Sequence, residues 1–254
     1  MDFNGMFDKY RDRILTGAAL LAAFVILGVI DNFFLIWLVM GALFMLSFHE
    51  ATRLFKLEHN ALYLYAVLLW AATLWYPYPS DLLFIGGLVF ASVIAYTNKG
   101  QWEYFLPFLY PTAGFLFMLT LYVNYNMISL FWLATVVISV DIGAFIVGKS
   151  IGKTPFSPTS PNKTLEGVLG GIIVATVLGF FIGVAVVDMD KALIISLLVA
   201  IASVFGDLFE SFLKRRADVK DSGNILPGHG GILDRLDGFL FSAIALEVLL
   251  RGLV

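Results

Sequence analysis

The sequence predicts an all-α integral membrane protein of about nine transmembrane helices with its N-terminus in the cytoplasm, and three observations carry that expectation. First, 60% of its 254 residues are hydrophobic and only 14% are charged, where a soluble domain carries charge on roughly a quarter of its residues. Second, the apolar residues run in continuous segments of roughly the 17 to 25 residues that a hydrocarbon core needs, without the alternation of barrel strands. Third, lysine and arginine gather on one side of those segments. The mean hydropathy of +0.90 agrees. The net charge of -3 is too small to select a partner, and the absence of cysteine excludes disulfides, thiolate metal ligands and a cysteine nucleophile.

The elements follow in order. A polar, basic start from Met1 to Arg13 leads into an apolar segment, 14–30, which reads as a retained helix because no small-residue cleavage site follows it. Asp31-Asn32 turns the chain into 33–48. Segments 61–77 and 82–97 are joined by the turn Tyr76 to Asp81, and segments 104–123 and 127–148 by Asn124 to Asn126. The turn Asp188 to Lys191 joins 166–187 to 192–213, and 236–253 completes the set. With the N-terminus inside, every lysine and arginine falls on the inner side except Lys191 and Arg251, a bias that one parity error would scatter. No repeat is visible. The first half is nearly free of buried charge, whereas polar groups crowd the chain from Asp141 onward. Residues 1–125 are therefore expected to be a scaffold and 126–254 the catalytic region of one membrane-embedded unit. The asymmetry disfavours an inverted-repeat transporter.

The polar chemistry concentrates in a few places. Asp207, Glu210, Ser211 and Lys214 stand at i, i+3, i+4 and i+7, so a helix puts them on one face, where two carboxylates and a hydroxyl can hold a divalent cation while the lysine meets a phosphate. The plainer alternative is a helix end emerging into water with an internal Glu210–Lys214 pair. Asp141 lies inside a span, where an ionised group costs about 2.5 to 3.5 kcal/mol, so it is either an acid near a metal or a buried packing contact. The loop from Lys149 to Gly167 sets Lys153, Ser160, Lys163 and Thr164 before a helix start, which reads either as a triphosphate clamp or as a solvated basic loop on the inner side. After Arg215, the loop offers Asp221, Asp234 and Asp237 as oxygen ligands for Mg²⁺ and Lys220 and Arg235 against phosphate. In the same loop Gly223, Gly228, Gly230 and Gly231 permit close backbone approach to a ligand. Gly167, Gly171, Gly179 and Gly183 read as helix-packing positions. Gly143 to Ser150 satisfies the P-loop expression, but it ends a membrane span rather than following a buried strand, and Asn162-Lys163-Thr164 falls on the cytoplasmic side, away from glycosylation.

The order Ser211-x-x-Lys214-Arg215, Lys220-Asp221-x-Gly223, Pro227-Gly228-His229-Gly230-Gly231-x-x-Asp234-Arg235-x-Asp237 resembles the signature of the phosphatidate cytidylyltransferases, the CDP-diacylglycerol synthases. Gly206 to Ser211, Ser160 to Gly167 and Asp141 resemble further family segments in the expected order. Asn162 stands where a glycine is commoner and Leu165 where an aromatic is. The resemblance implies a nucleotidyltransferase of phospholipid synthesis that joins CTP and phosphatidic acid into CDP-diacylglycerol and pyrophosphate. It also implies Mg²⁺, as more than one cation, near Asp207, Asp221, Asp234 and Asp237, with Glu210 and Asp141 close by. Lys153, Lys163, Lys214, Lys220 and Arg235 would contact phosphates, with Ser160, Thr164, Ser211, Arg215, Gly228, His229, Gly230 and Gly231 lining the substrate. A lipid phosphate is already a nucleophile, so the reaction needs alignment and charge screening rather than an activated serine or cysteine. The expected setting is a multi-pass membrane protein with its site facing the cytoplasm, in the inner membrane if the source is bacterial; a homodimer is allowed and no nucleic acid is expected. A CTP-dependent polyprenol or lipid-alcohol kinase and a transporter of anionic solutes are the competing readings.

Overall fold

Helix starts and stops follow local chemistry throughout the computed structural model, which describes residues 3–57, 60–98, 102–226 and 230–253. The first helix, α1 (Phe3–Ile30), ends at Asp31, and Asn32 caps α2 (Phe33–Leu54) by accepting the Leu35 N–H on its side chain at 3.0 Å. The second helix runs on past the expected limit at 48 and so carries His49 and Glu50 within it. The reason is physical: hydropathy marks where a membrane ends, and polar residues that are not helix breakers let the helix continue. Conversely, α3 (Asn60–Ala72) stops short of 77, because the Thr73 hydroxyl takes the Trp70 carbonyl and successive N–H groups tighten onto residues three back. A 3₁₀ turn, Pro79–Asp81, opens α4 (Leu82–Thr97), whose limits match the expected 82–97.

The expected helix 104–123 begins only at 113. Tyr110, just before Pro111, is extended (φ -140, ψ 115), as the proline ring requires of its predecessor. The fifth helix, α5 (Ala113–Ile151), is 39 residues long and breaks at Asn126 (φ 58, ψ -171). There the chain folds back on itself, since the Ser129 hydroxyl reaches the Leu121 carbonyl, eight residues earlier, at 2.9 Å, where a straight helix would hold them roughly 12 Å apart. This is the reversal expected at Asn124 to Asn126. Next comes an antiparallel hairpin, β1 (Pro155–Ser157) with β2 (Ser160–Thr164), where the sequence suggested only a loop. Helices α6 (Leu165–Gly183), α7 (Met189–Ala217) and α8 (Leu233–Leu253) complete the chain. The architecture is an all-α membrane protein with one small hairpin, and among the described residues five helices are long and apolar enough to cross a membrane.

Glycines bring α6 onto the second half of α5. A Cβ at Gly171 would stand 2.5 Å from the Val140 carbonyl and one at Gly167 2.8 Å from that of Ala144, so both helices touch backbone to backbone, as the small-residue spacing predicts. Gly206 does the same for α7 against Asp237 of α8. Phe44 of α2 packs on Phe115, and Phe48 on Phe108, so the first half of the chain is built into the second. The ends of α2, α5 and α7 and the starts of α6 and α8 thereby meet at one end of the bundle. At the other end Tyr122 bonds Asp31 and Glu247 faces Arg251.

Candidate active site

Lys214, in the last turns of α7, is the centre of the site. Its ammonium lies 2.7 Å from Glu210 Oε2, one turn back, and 2.7 Å from Asp234 Oδ1 at the start of α8. The i, i+4 pair suggested by the sequence is therefore present, but it is one arm of a three-group cluster. Asp234 Oδ2 accepts the Ser222 N–H at 2.9 Å, the Ser222 hydroxyl at 2.9 Å and the Gly231 N–H at 2.8 Å. Every lone pair of this carboxylate that faces protein thus meets a donor. Gly230 turns the loop toward it with φ +84, a conformation glycine adopts without penalty.

About two turns earlier on α7, Asp207 is paired with Lys163 of β2 and lies 3.4 Å from the Ser211 hydroxyl. Asp207 and Lys163, with Asp141 and Lys149 of α5 and Thr164, line a cleft of about 360 Å³ between α5, β2, α6 and α7. One wall is apolar and outward-facing, with Phe145 67% exposed. Burial lowers the Lys163 ammonium from its ordinary value, against the pull of Asp141 and Asp237. Its charge is thus lost with rising pH sooner than that of a solvated lysine. Asp237 faces Glu210 and feels Asp141 and Lys214. The stripe from Asp207 to Lys214 is roughly 10 Å long at helical rise.

Other expected site residues have different employment. Thr164 caps α6, accepting the Gly167 N–H on its hydroxyl at 3.2 Å, and Glu166 takes the N–H groups of Lys153 and Thr154. The segment proposed as a triphosphate clamp is therefore held partly by its own helix start. Ser160 pairs across the hairpin with Ser157. Arg215 bonds the Val219 carbonyl at 3.4 Å beyond α7, and Arg235 and Lys220 are exposed. Asp221 stands outside the Asp234 network and lines a separate cleft with Arg53, Ser222, Gly223 and Asn224. Gly228 and His229 lie outside the described residues. Residues 143–150 are helical, which removes the P-loop.

Glu50 of α2 is the residue that sequence reasoning missed. Buried at 1% exposure, it accepts the Ser222 hydroxyl at 3.1 Å and the N–H groups of Ile232 at 3.1 Å and Leu233 at 2.7 Å. A Cβ on Gly223 or Gly231 would stand 2.3 or 2.5 Å from a Glu50 oxygen. These two glycines, expected to admit a ligand, instead admit Glu50. The available signal was a carboxylate at the inner edge of an apolar span, within Ser47-Phe48-His49-Glu50-Ala51-Thr52.

Among the described residues, no three His, Asp or Glu side chains converge tightly enough to hold a metal ion. The donor chemistry nonetheless suits a hard cation: Glu210 Oε1 is buried without a hydrogen-bond partner, and the acids around it offer only oxygen.

The chain matches the cytidylyltransferase family over residues 11–253. It is 46% identical to the phosphatidate cytidylyltransferase of Helicobacter pylori J99, across 95% of this chain and 92% of that protein. It is 35% identical to the phosphatidate cytidylyltransferase of Thermotoga maritima, across 93% and 94%. The Bacillus subtilis phosphatidate cytidylyltransferase is 42% identical over 53% of this chain and 56% of its own. Matched by the family over residues 11–253 and by full-length relatives at 35% to 46% identity, this chain belongs to the cytidylyltransferase family.

Proposed function

We propose that this chain transfers the cytidylyl group of CTP to the phosphate of phosphatidic acid, giving CDP-diacylglycerol and pyrophosphate. The observation that carries the reading is the Glu210–Lys214–Asp234 cluster beside a cleft with one apolar, outward-facing wall, in a chain 46% identical to proteins named for that activity. A lipid phosphate enters along Phe145 and meets Lys149 and Lys163, and the triphosphate lies along the stripe toward Lys214. A lipid phosphate oxygen attacks the α-phosphorus as the bond from that phosphorus to the β-phosphate oxygen breaks, and the electron pair leaves with pyrophosphate. Lysines 163 and 214 orient the anions and screen their charge. Glu210, with Asp237, Asp207 and Asp141, would hold Mg²⁺, which supplies further screening of the transferred phosphoryl oxygens.

The reading places 126–254 as the catalytic region and the earlier helices as its support. It also places about nine spans across the inner membrane, with the N-terminus and the site toward the cytoplasm, as the lysine and arginine bias favours; a homodimer is compatible with it. A cysteine introduced at Ser157 in the hairpin should resist an impermeant reagent added outside intact cells and react after permeabilisation. Labelling from outside would reverse the orientation.

The function itself is tested with purified protein, phosphatidic acid and CTP made chiral with sulfur at the α-phosphorus. Pyrophosphate should appear only with both substrates, and configuration should invert, since one in-line displacement inverts and a two-step route through a covalent enzyme retains. Retention, or release of CDP in place of pyrophosphate, would contradict the proposal.

A further inference from the structure

We infer that Glu50 is a positioning residue of the transfer site, an inference that rests on the proposed function and deepens it. Its hydrogen bonds go to the loop and helix start that carry Asp234, the partner of Lys214. Three observations converge on it. Its carboxylate is 1% exposed, and a buried charge is tolerated only where donors replace water. All its donors come from one element, the loop and first residues of α8: the Ser222 hydroxyl and the N–H groups of Ile232 and Leu233. Those amides belong to a helix start, whose unpaired N–H groups and dipole favour an anion. Finally, Gly223 and Gly231 leave no room for a side chain between loop and carboxylate.

Ser222 is the link to the reacting groups. Its hydroxyl stands 3.1 Å from Glu50 Oε2 and 2.9 Å from Asp234 Oδ2, and its N–H lies 2.9 Å from that same Asp234 oxygen. Withdrawing Glu50 therefore frees Ser222 and the α8 start together, and with them the Asp234 carboxylate that holds Lys214. Glu50 reaches across 172 residues of sequence to do this. The first half of the chain is thus a contributor to the site and more than a scaffold. Arg53, one turn further along α2, lines the neighbouring cleft with Asp221 and Asn224, so the same helix end borders the loop on two sides.

The test uses Glu50→Gln, Glu50→Asp and Glu50→Ala in the full-length protein. Glutamine keeps the length but turns an NH₂ toward a backbone donor; aspartate keeps two acceptors on a shorter arm. Misplacing groups that act in the transition state lowers turnover more than ground-state binding, so Glu50→Gln should lower kcat by about tenfold or more with KM for CTP within about threefold. Glu50→Asp should recover part of the loss. A second readout is independent of the reaction: the protein has no cysteine, so Ile232→Cys, at a position 6% exposed, gives one thiol whose labelling should be slow with Glu50 and fast in Glu50→Ala. Turnover within twofold of the parent with unchanged labelling would overturn the inference. So would a loss of turnover that tracks only the fraction of folded protein. Failure of the parent to form CDP-diacylglycerol would instead sink the functional reading, and the labelling would still judge Glu50.

Discussion

Replacing Asp234 with asparagine is expected to reduce cytidylyl transfer by about a hundred- to a thousandfold, the cost of removing one preorganised electrostatic contact. Two effects add. The carboxylate at 2.7 Å that helps neutralise Lys214 loses its charge. In addition, the oxygen that accepts Ser222 N–H, Ser222 O–H and Gly231 N–H either becomes an amide NH₂ facing donors or forces the amide to flip and present NH₂ to the Lys214 ammonium. Neither rotamer satisfies the site, so the size match of asparagine does not help. The comparison is Asp188→Asn or Asp190→Asn, in and just after the turn between α6 and α7, which should leave turnover within severalfold. Steady-state rates under saturating CTP check it; an Asp234→Asn enzyme within tenfold of the parent would remove Asp234 from the site.

Lys214→Met should damage both activity and stability. The substitution keeps much of the side-chain volume but leaves Glu210, 0% exposed, and Asp234, 6% exposed, without their shared cation. Breaking a buried pair by removing one partner costs about 3 to 5 kcal/mol, and the nearness of the cleft to water puts this case near the lower figure. By contrast, Lys191→Met removes a surface pair with Asp188 at 3.5 Å whose carboxylate is 79% exposed, worth under about 1 kcal/mol. Thermal unfolding in detergent should fall by several degrees for Lys214→Met and barely move for Lys191→Met. Equal unfolding temperatures would show that Glu210 and Asp234 do not depend on the lysine. Turnover should fall at least a hundredfold, since the variant also lacks the phosphate contact proposed for Lys214.

The site was legible where its residues are contiguous in sequence. Asp207, Glu210, Ser211 and Lys214 share a helix face by spacing alone, and Asp234 follows in the same signature. The break at Asn126 was legible from a polar turn between two apolar runs. Glu50 was not, because its partners lie 172 to 183 residues away and no local pattern announces a carboxylate that caps a distant helix. The hairpin of β1 and β2 was also missed: its five residues Ser160–Thr164 hold two prolines' worth of turn chemistry around them but too short an alternation to read as strand. Helix ends differed from span ends at α2 and α5 for the reason seen at Glu50 and Pro111. Apolarity reports the bilayer, while backbone chemistry decides where a helix stops.

The most direct measurement follows two labels at once. Purified protein and its Asp234→Asn variant are given phosphatidic acid and CTP carrying one isotope at the α-phosphorus and another at the γ-phosphorus. The account predicts the α label in the organic-soluble lipid and the γ label in pyrophosphate for the parent, with both transfers lost together in the variant. The γ label in the lipid, or an undiminished α transfer in the variant, would contradict it.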